Sequence, residues 1–266
     1  MVIHKIERYT TQIWHGSGHL LVLIDGNERY KELLINSFPN LSFSATFADS
    51  KKEYKWGTFI REWQRTDAQN IVNLLDLCTK HVLVVNPLDQ MFCIDFHTDL
   101  SGKKSELGEL VYKGKTYKSG PIRDNQLPAS EKLTTFFLKF ILQNFVYSQA
   151  DLILSVPSST HKTFDLPAVI ASGLSKLIGK PMISSVLEKI PGRKSMKDCS
   201  SLGEKMENIV NSFIVKNTDE IQNKSIILID DVYQSGATMI EVGKILKLGG
   251  AAKVLGLSAT KTRKDA

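Results

Sequence analysis

Residues 226–238 read IILIDDVYQSGAT. Ile226, Ile227, Leu228 and Ile229 form an apolar run with β character, which predicts a strand buried on both faces. Asp230 and Asp231 stand side by side at its carboxyl end, and Gln234, Ser235, Gly236 and Ala237 follow in a short polar loop. Residues 238–248 then have the pattern of a helix that stops at Gly249-Gly250. In parallel α/β sheets, ligands bind beyond the carboxyl ends of the strands. The start of the next helix offers unpaired N–H groups and a partial positive charge, a seat for phosphate. Gly236 lets the backbone come close to that phosphate, while Ser235 and Thr238 add hydroxyl donors. Two carboxylates facing a phosphate would repel it, so they are expected to face vicinal hydroxyls or a cation. A phosphate at one end and a diol at the other describe a ribose 5-phosphate.

The same strand-helix rhythm runs outward from this segment. Residues 253–259 predict the next strand, and 151–156 an earlier one, followed by a helix over 166–178 with Gly179 and Pro181 past its end. Residues 182–187 and 211–215 read as strands and 202–210 as a short helix, with a basic polar stretch over 189–201. Residues 130–147 predict a long helix capped by Ser130, residues 91–96 a strand, and Leu107, Leu110 and Val111 fall at helical spacing. In the first ninety residues, 19–24 and 81–85 read as strands, 28–38 as a helix, and 66–78 as a helix with Asp67 as its N-cap. Strand, helix, helix, strand predicts parallel pairing in a small α/β unit. The expected organisation is therefore a small domain over residues 1–90 and a larger one over 91–266.

Composition excludes several classes. With 42% hydrophobic and 23% charged residues, the chain has an ordinary globular make-up rather than a disordered or collagen-like one. Its 266 residues suffice for a core without disulfide or metal staples. Cys78, Cys93 and Cys199 are too scattered for a disulfide framework and contain no CxxC pair, which fits a reducing cytoplasm. Residues 1–9 lack the apolar core of a secretory signal. The most apolar helical stretch, 136–147, is broken by Lys139, Gln143 and Asn144, so no membrane span is expected. The net charge of +6 permits a polyanionic partner or a phosphorylated substrate.

The acidic pair and the loop after it resemble the phosphoribosyl pyrophosphate signature of type I phosphoribosyltransferases, with Gln234 where Thr is usual. Further matches are to the ComF-like branch. Val156-Pro157 ends a strand, then Lys162-Thr163-Phe164-Asp165 stands where that branch has Arg-Gly-Phe-Asn. Leu202, Lys205-x-x-Asn208 and Phe213 follow a basic loop in the branch's order, and residues 107–113 (LGELVYK) resemble its helix before the core. Together these cover roughly residues 105–262; the first ninety residues carry no part of the resemblance, and the four-cysteine zinc ribbon common in the branch is not among them.

The resemblance implies a parallel-sheet phosphoribosyltransferase (Rossmann-like) core, preceded by a small N-terminal α/β domain or an extended hood. It implies transfer of a 5-phosphoribosyl group from 5-phosphoribosyl-1-pyrophosphate, with Mg²⁺, to an unread acceptor and release of pyrophosphate. Asp230 and Asp231 would hold the ribose hydroxyls and serve the metal indirectly. Gln234, Ser235, Gly236, Ala237 and Thr238 would hold the 5-phosphate; Ser158, Ser159, Thr160, His161 and Lys162 would meet the pyrophosphate; Arg193 and Lys197 would close over it. A homodimer in the cytoplasm is the expected state. The alternative is a ribose-phosphate-binding regulatory module or nucleic-acid-associated protein, in DNA uptake or defence against foreign DNA. Asp95-x-His97-x-Asp99 reads as a solvated strand end rather than a metal site, and Ser158, His161 and Asp165 lack the GxSxG elbow of a hydrolase.

Overall fold

The computed structural model describes residues 3–14, 18–27, 29–44, 54–116, 121–158, 163–190, 209–210 and 212–263. Its strands are β1 (Ile3–His4), β2 (Arg8–Trp14), β3 (His19–Asp25), β4 (Ser42–Phe43), β5 (Trp56–Arg61), β6 (Val82–Val84), β7 (Gln90–Phe96), β8 (Leu152–Ser155), β9 (Leu187–Lys189), β10 (Phe213–Val215), β11 (Ser225–Tyr233) and β12 (Lys253–Lys261). The helices are α1 (Arg29–Ser37), α2 (Arg65–Lys80), α3 (Glu106–Gly114), α4 (Gln126–Gln143), α5 (Phe145–Ser148), α6 (Leu166–Ile178) and, numbered on, α7 (Ala237–Leu248).

A mixed α/β fold results, with a mostly parallel central sheet in the order β1-β6-β7-β12-β11-β8. β7, β12, β11 and β8 run parallel, while β6 and β1 add an antiparallel edge. Ile226 to Ile229 are wholly buried, as the unbroken apolar run predicts. Their side chains alternate between two cores. Ile227 and Ile229 join Leu255 and Leu257 against α3, α4 and α6, whereas Ile226 and Leu228 join Val254 against α7. Each such side chain contributes about 1.5–3 kcal/mol of burial, which fixes β11 between β12 and β8 and its carboxyl end at a defined rim.

β11 continues past the apolar run 226–229 to Tyr233, and β12 past the expected end at residue 259 to Lys261. Asp230 pairs in register with Ser258 and Val232 with Thr260, so the acids lie within the ladder and not beyond it.

Residues 19–24 and 81–85 do not pair in parallel. β3 lies in a second sheet, order β2-β3-β5-β4, antiparallel to both β2 and β5, while β6 lies antiparallel to β7 in the large sheet. β2 and β5 give the reason. They flank β3 on both sides and complete its burial, yet RYTTQIW and WGTFIR carry too little apolar contrast to stand out alone.

The helix at 65–80 begins before Asp67. That carboxylate sits in the first turn and reaches back to accept from the Gln64 N–H at 2.8 Å. The expected single helix over 130–147 is two. α4 starts at Gln126, with Pro128 tolerated in a first turn that needs no N–H donor there, and Ser130 is buried inside it. Asn144 then breaks the run by accepting from the Val146 and Tyr147 N–H groups. Residues 182–187 form only one bridge to β8, at Met182, before β9 pairs with β10. The expected helix over 202–210 falls mostly outside the described residues.

Candidate functional site

The carboxyl rim of β11 carries the site. Val232 and Tyr233 complete the strand, and Gly236, at φ +80°, turns the chain into α7. That left-handed angle needs glycine, and so does the packing. A Cβ on Gly236 would lie 2.0 Å from Tyr233 Oη. The Tyr233 ring is buried against the turn, and burial pushes its hydroxyl up to about 12. The N-cap of α7 is Gly236, which has no side chain to offer, and Ser235 Oγ accepts from the Ala237 N–H only at 3.5 Å. Asp230, Gln234, Ser235, Gly236, Ala237 and Thr238 line a cavity of about 120 Å³ at this helix start. It is well below the roughly 300–1,000 Å³ of a drug-sized pocket, and suits one phosphate-sized group.

The two acids have different surroundings. Asp230 is half-buried at the cavity wall and accepts from the Asp231 N–H at 2.8 Å. Burial, and then the neighbouring Asp231 charge, push its carboxyl up to about 7 against the opposing pull of Lys115. Asp231 is 7% exposed and points to the opposite face of the sheet, where Lys115 Nζ lies 2.9 Å from each of its oxygens.

Lys115 follows α3, and sequence reading did not select it. Its partner is 116 positions away, and no local pattern marks it.

The β8 loop leaves beside this rim, because the Val156 N–H donates to Ile229 O at 2.9 Å. Ser158 therefore follows directly, and Thr116 Oγ1 donates to Phe164 O at 2.9 Å, tying the α3 end to the far side of the loop. Asp165, before α6, lies close enough for its charge to raise the Asp230 carboxyl further. The structure thus brings together Asp230, Asp231, residues 234–238, Ser158, Lys115 and Asp165. Ser159, Thr160, His161, Lys162, Arg193 and Lys197 lie outside the described residues, as do Leu202, Lys205 and Asn208.

Magnesium binds at 2.0–2.1 Å in near-octahedral oxygen sets. Asp231 offers no free edge to such an ion while Lys115 spans both oxygens, and among the described residues no group of three His, Cys, Asp or Glu gathers. The acidic pair therefore does not fit a resident ion held by both carboxylates.

A second cavity, about 410 Å³, lies at the ends of β7 and β12 by Asp95, Phe96, Asp99 and Arg263. Its polar groups are largely engaged. Arg263 stacks 3.8 Å from the Phe96 ring centroid and donates to Thr98 O, while Asp99 Oδ1 accepts from Ser101 and Lys103. His97 Nδ1 lies 3.0 Å from Thr260 Oγ1. Asp95 and Asp99 thus line this cavity together, whereas His97 is engaged by Thr260.

No protein-family model matches the chain, and no curated protein sequence matches it. The solved structures it resembles include glutamine phosphoribosylpyrophosphate amidotransferase from B. subtilis complexed with ADP and GMP, at 13% identity and TM-score 0.38 over 90% of this chain and 46% of that one. Adenine phosphoribosyl transferase from Trypanosoma brucei, in complex with AMP, pyrophosphate and ribose-5-phosphate, matches at 15% identity and TM-score 0.40 over 69% and 87%. A hypoxanthine phosphoribosyltransferase from Staphylococcus aureus matches at 15% identity and TM-score 0.34 over 52% and 68%. The chain spans under half the length of the amidotransferase.

Proposed function

We propose that this chain binds 5-phosphoribosyl-1-pyrophosphate, or a related ribose 5-phosphate, and transfers the phosphoribosyl group to an acceptor with release of pyrophosphate. One observation carries the reading: a half-buried carboxylate, Asp230, shares a small cavity with the glycine-capped start of α7. The 5-phosphate sits on residues 234–238, held by backbone N–H groups and the helix dipole. Asp230 accepts hydrogen bonds from the ribose hydroxyls, and Asp231 fixes that edge of the strand. Ser158, Ser159, Thr160, His161 and Lys162 meet the pyrophosphate; Arg193 and Lys197 close over it and exclude water. The anomeric C–O bond breaks with its electron pair leaving on pyrophosphate, and the acceptor bonds to the same carbon. The protein contributes position and charge, worth about 7–11 kcal/mol when two reactants are held in line. Magnesium enters as the companion of the pyrophosphate, not as a resident of the acidic pair. A homodimer of the ComF-like branch in a reducing cytoplasm completes the reading, and the buried, unpaired thiols of Cys78 and Cys93 are compatible with it.

The test is calorimetry with phosphoribosyl pyrophosphate and Mg²⁺. Asp230→Asn with Asp231→Asn should abolish binding while the circular dichroism spectrum is unchanged. Equal affinity before and after would sink the reading.

The buried Tyr233 ring across Gly236 and the pairing of Asp231 with Lys115 favour a second reading, a regulatory module that binds without turnover. Radiolabelled phosphoribosyl pyrophosphate with a panel of nucleobases separates the two, since only the enzyme releases pyrophosphate. Steeply salt-dependent DNA binding would instead mark a nucleic-acid role for the +6 chain.

A further inference from the structure

Lys115 reaches Asp231 by construction. The stretch 113–116 behind it is gripped from two sides. Arg123 donates to Lys113 O at 3.1 Å and to Lys115 O at 2.6 Å. Gln126 Nε2 donates to Gly114 O at 3.2 Å and to Thr116 Oγ1 at 2.9 Å, and Thr116 in turn bonds Phe164 O. The ammonium is thereby presented to a carboxylate that is nearly out of water, at 2.9 Å from both oxygens. A buried carboxylate of this kind demands a counter-charge. Lysine meets the demand permanently, where a metal ion would meet it only when bound.

We infer that Lys115 is the resident counter-ion of Asp231, standing where a divalent cation would otherwise sit, so that the site takes a ribose 5-phosphate without metal, its hydroxyls held by Asp230 and not by Asp231. The inference rests on the ribose-phosphate reading above. With Lys115 in place, the ionised acidic pair and its lysine sum to one negative charge instead of two. That lowers the repulsion felt by a phosphate ester at the neighbouring helix start. Lys115 acts through Asp231 and is a positioning residue.

Mn²⁺ serves as the probe, followed by electron paramagnetic resonance and calorimetry. The wild-type chain should bind it weakly. Lys115→Met, which keeps the stem and removes the charge, should bind it roughly tenfold tighter or more. Lys115→Met with Asp231→Asn should fall back to the wild-type affinity, and Lys115→Arg should resemble wild type. A merely structural lysine would give no gain of metal binding and no reversal by the second change. Equal Mn²⁺ affinity in wild type and Lys115→Met overturns the inference. So does unfolding of Lys115→Met that neither Mn²⁺ nor Asp231→Asn rescues, because Lys115 would then do more than balance one charge. Ribose 5-phosphate is titrated in parallel in EDTA. Failure of the wild-type chain to bind it with or without Mg²⁺ overturns the proposed function, while binding that requires added Mg²⁺ overturns the role given to Lys115.

Discussion

Gly236 holds φ at +80° with the Tyr233 hydroxyl 2.0 Å from where a Cβ would stand. Gly236→Ala is therefore expected to cost about 1–3 kcal/mol of stability and to open the start of α7 enough to abolish ribose 5-phosphate binding. Urea unfolding and calorimetry check both, and unchanged values for either would show that the turn does not depend on glycine. Asp230 makes a second prediction, with a defined sign. Its carboxyl sits at about 7 in the folded chain, against about 3.9 in an unfolded one. Between those values the folded state binds more protons, so stability falls as pH rises from about 4 to about 7, and the loss is complete above. Asp230→Asn removes that loss. The variant should be more stable than wild type at pH 8 by about 1–3 kcal/mol, with the gap closing toward pH 4; a gap independent of pH would contradict it. Asp230, Asp231, Ser235, Gly236 and Thr238 could be picked out together because they sit within thirteen consecutive residues on either side of one turn. Lys115 could not, because a contact across 116 positions leaves no local trace.

At the scale of elements, α3 matters because it delivers Lys115. It is capped by Ser105, whose Oγ accepts from the Gly108 N–H at 3.0 Å and donates to Phe96 O at the β7 exit at 2.6 Å. A Cβ on Gly108 would come within 2.1 Å of His97 O. That atom is backbone and cannot swing aside. Gly108→Ala is expected to cost about 1–3 kcal/mol or more, which lowers the melting temperature by several degrees in a chain of this size. Differential scanning calorimetry reads the shift, and an unchanged melting temperature would mean that α3 does not pack on His97. The glycine of the LGELVYK stretch thus has a physical reason independent of any resemblance. Elements whose signal is continuous, such as β11 and α6, could be read to within a few residues. Those made by pairing could not. β2 and β5 acquire their burial only by lining up with β3, and the break between α4 and α5 comes from one Asn144 side chain turning onto the backbone.

Of the two hydrophobic clusters, one crosses from the small sheet to the large one. Leu20, Ile24 and Trp56 share it with Phe137, Ile229 and Leu257. Polar links run the same way, with Gln90 Nε2 donating to Ser37 Oγ at 2.8 Å and the Ile6 N–H to Cys78 O at 2.9 Å. β1 and β6 also come from before residue 90, yet they complete the large sheet. A fragment beginning at residue 91 would expose the edge of β7 and the α4 face that α2 covers, and it is expected not to fold alone. The tryptophans allow a direct test on the intact chain. Trp14, Trp56 and Trp63 all precede residue 90, so their fluorescence reports the N-terminal part, whereas far-ultraviolet circular dichroism reports every helix. Because the two sheets share a core, removing either should strip apolar contacts from the other, and both signals should fall in one urea transition with the same midpoint. Two separated midpoints would instead show that the N-terminal sheet is a unit of its own, and that the rim bearing Asp230 is supported without it.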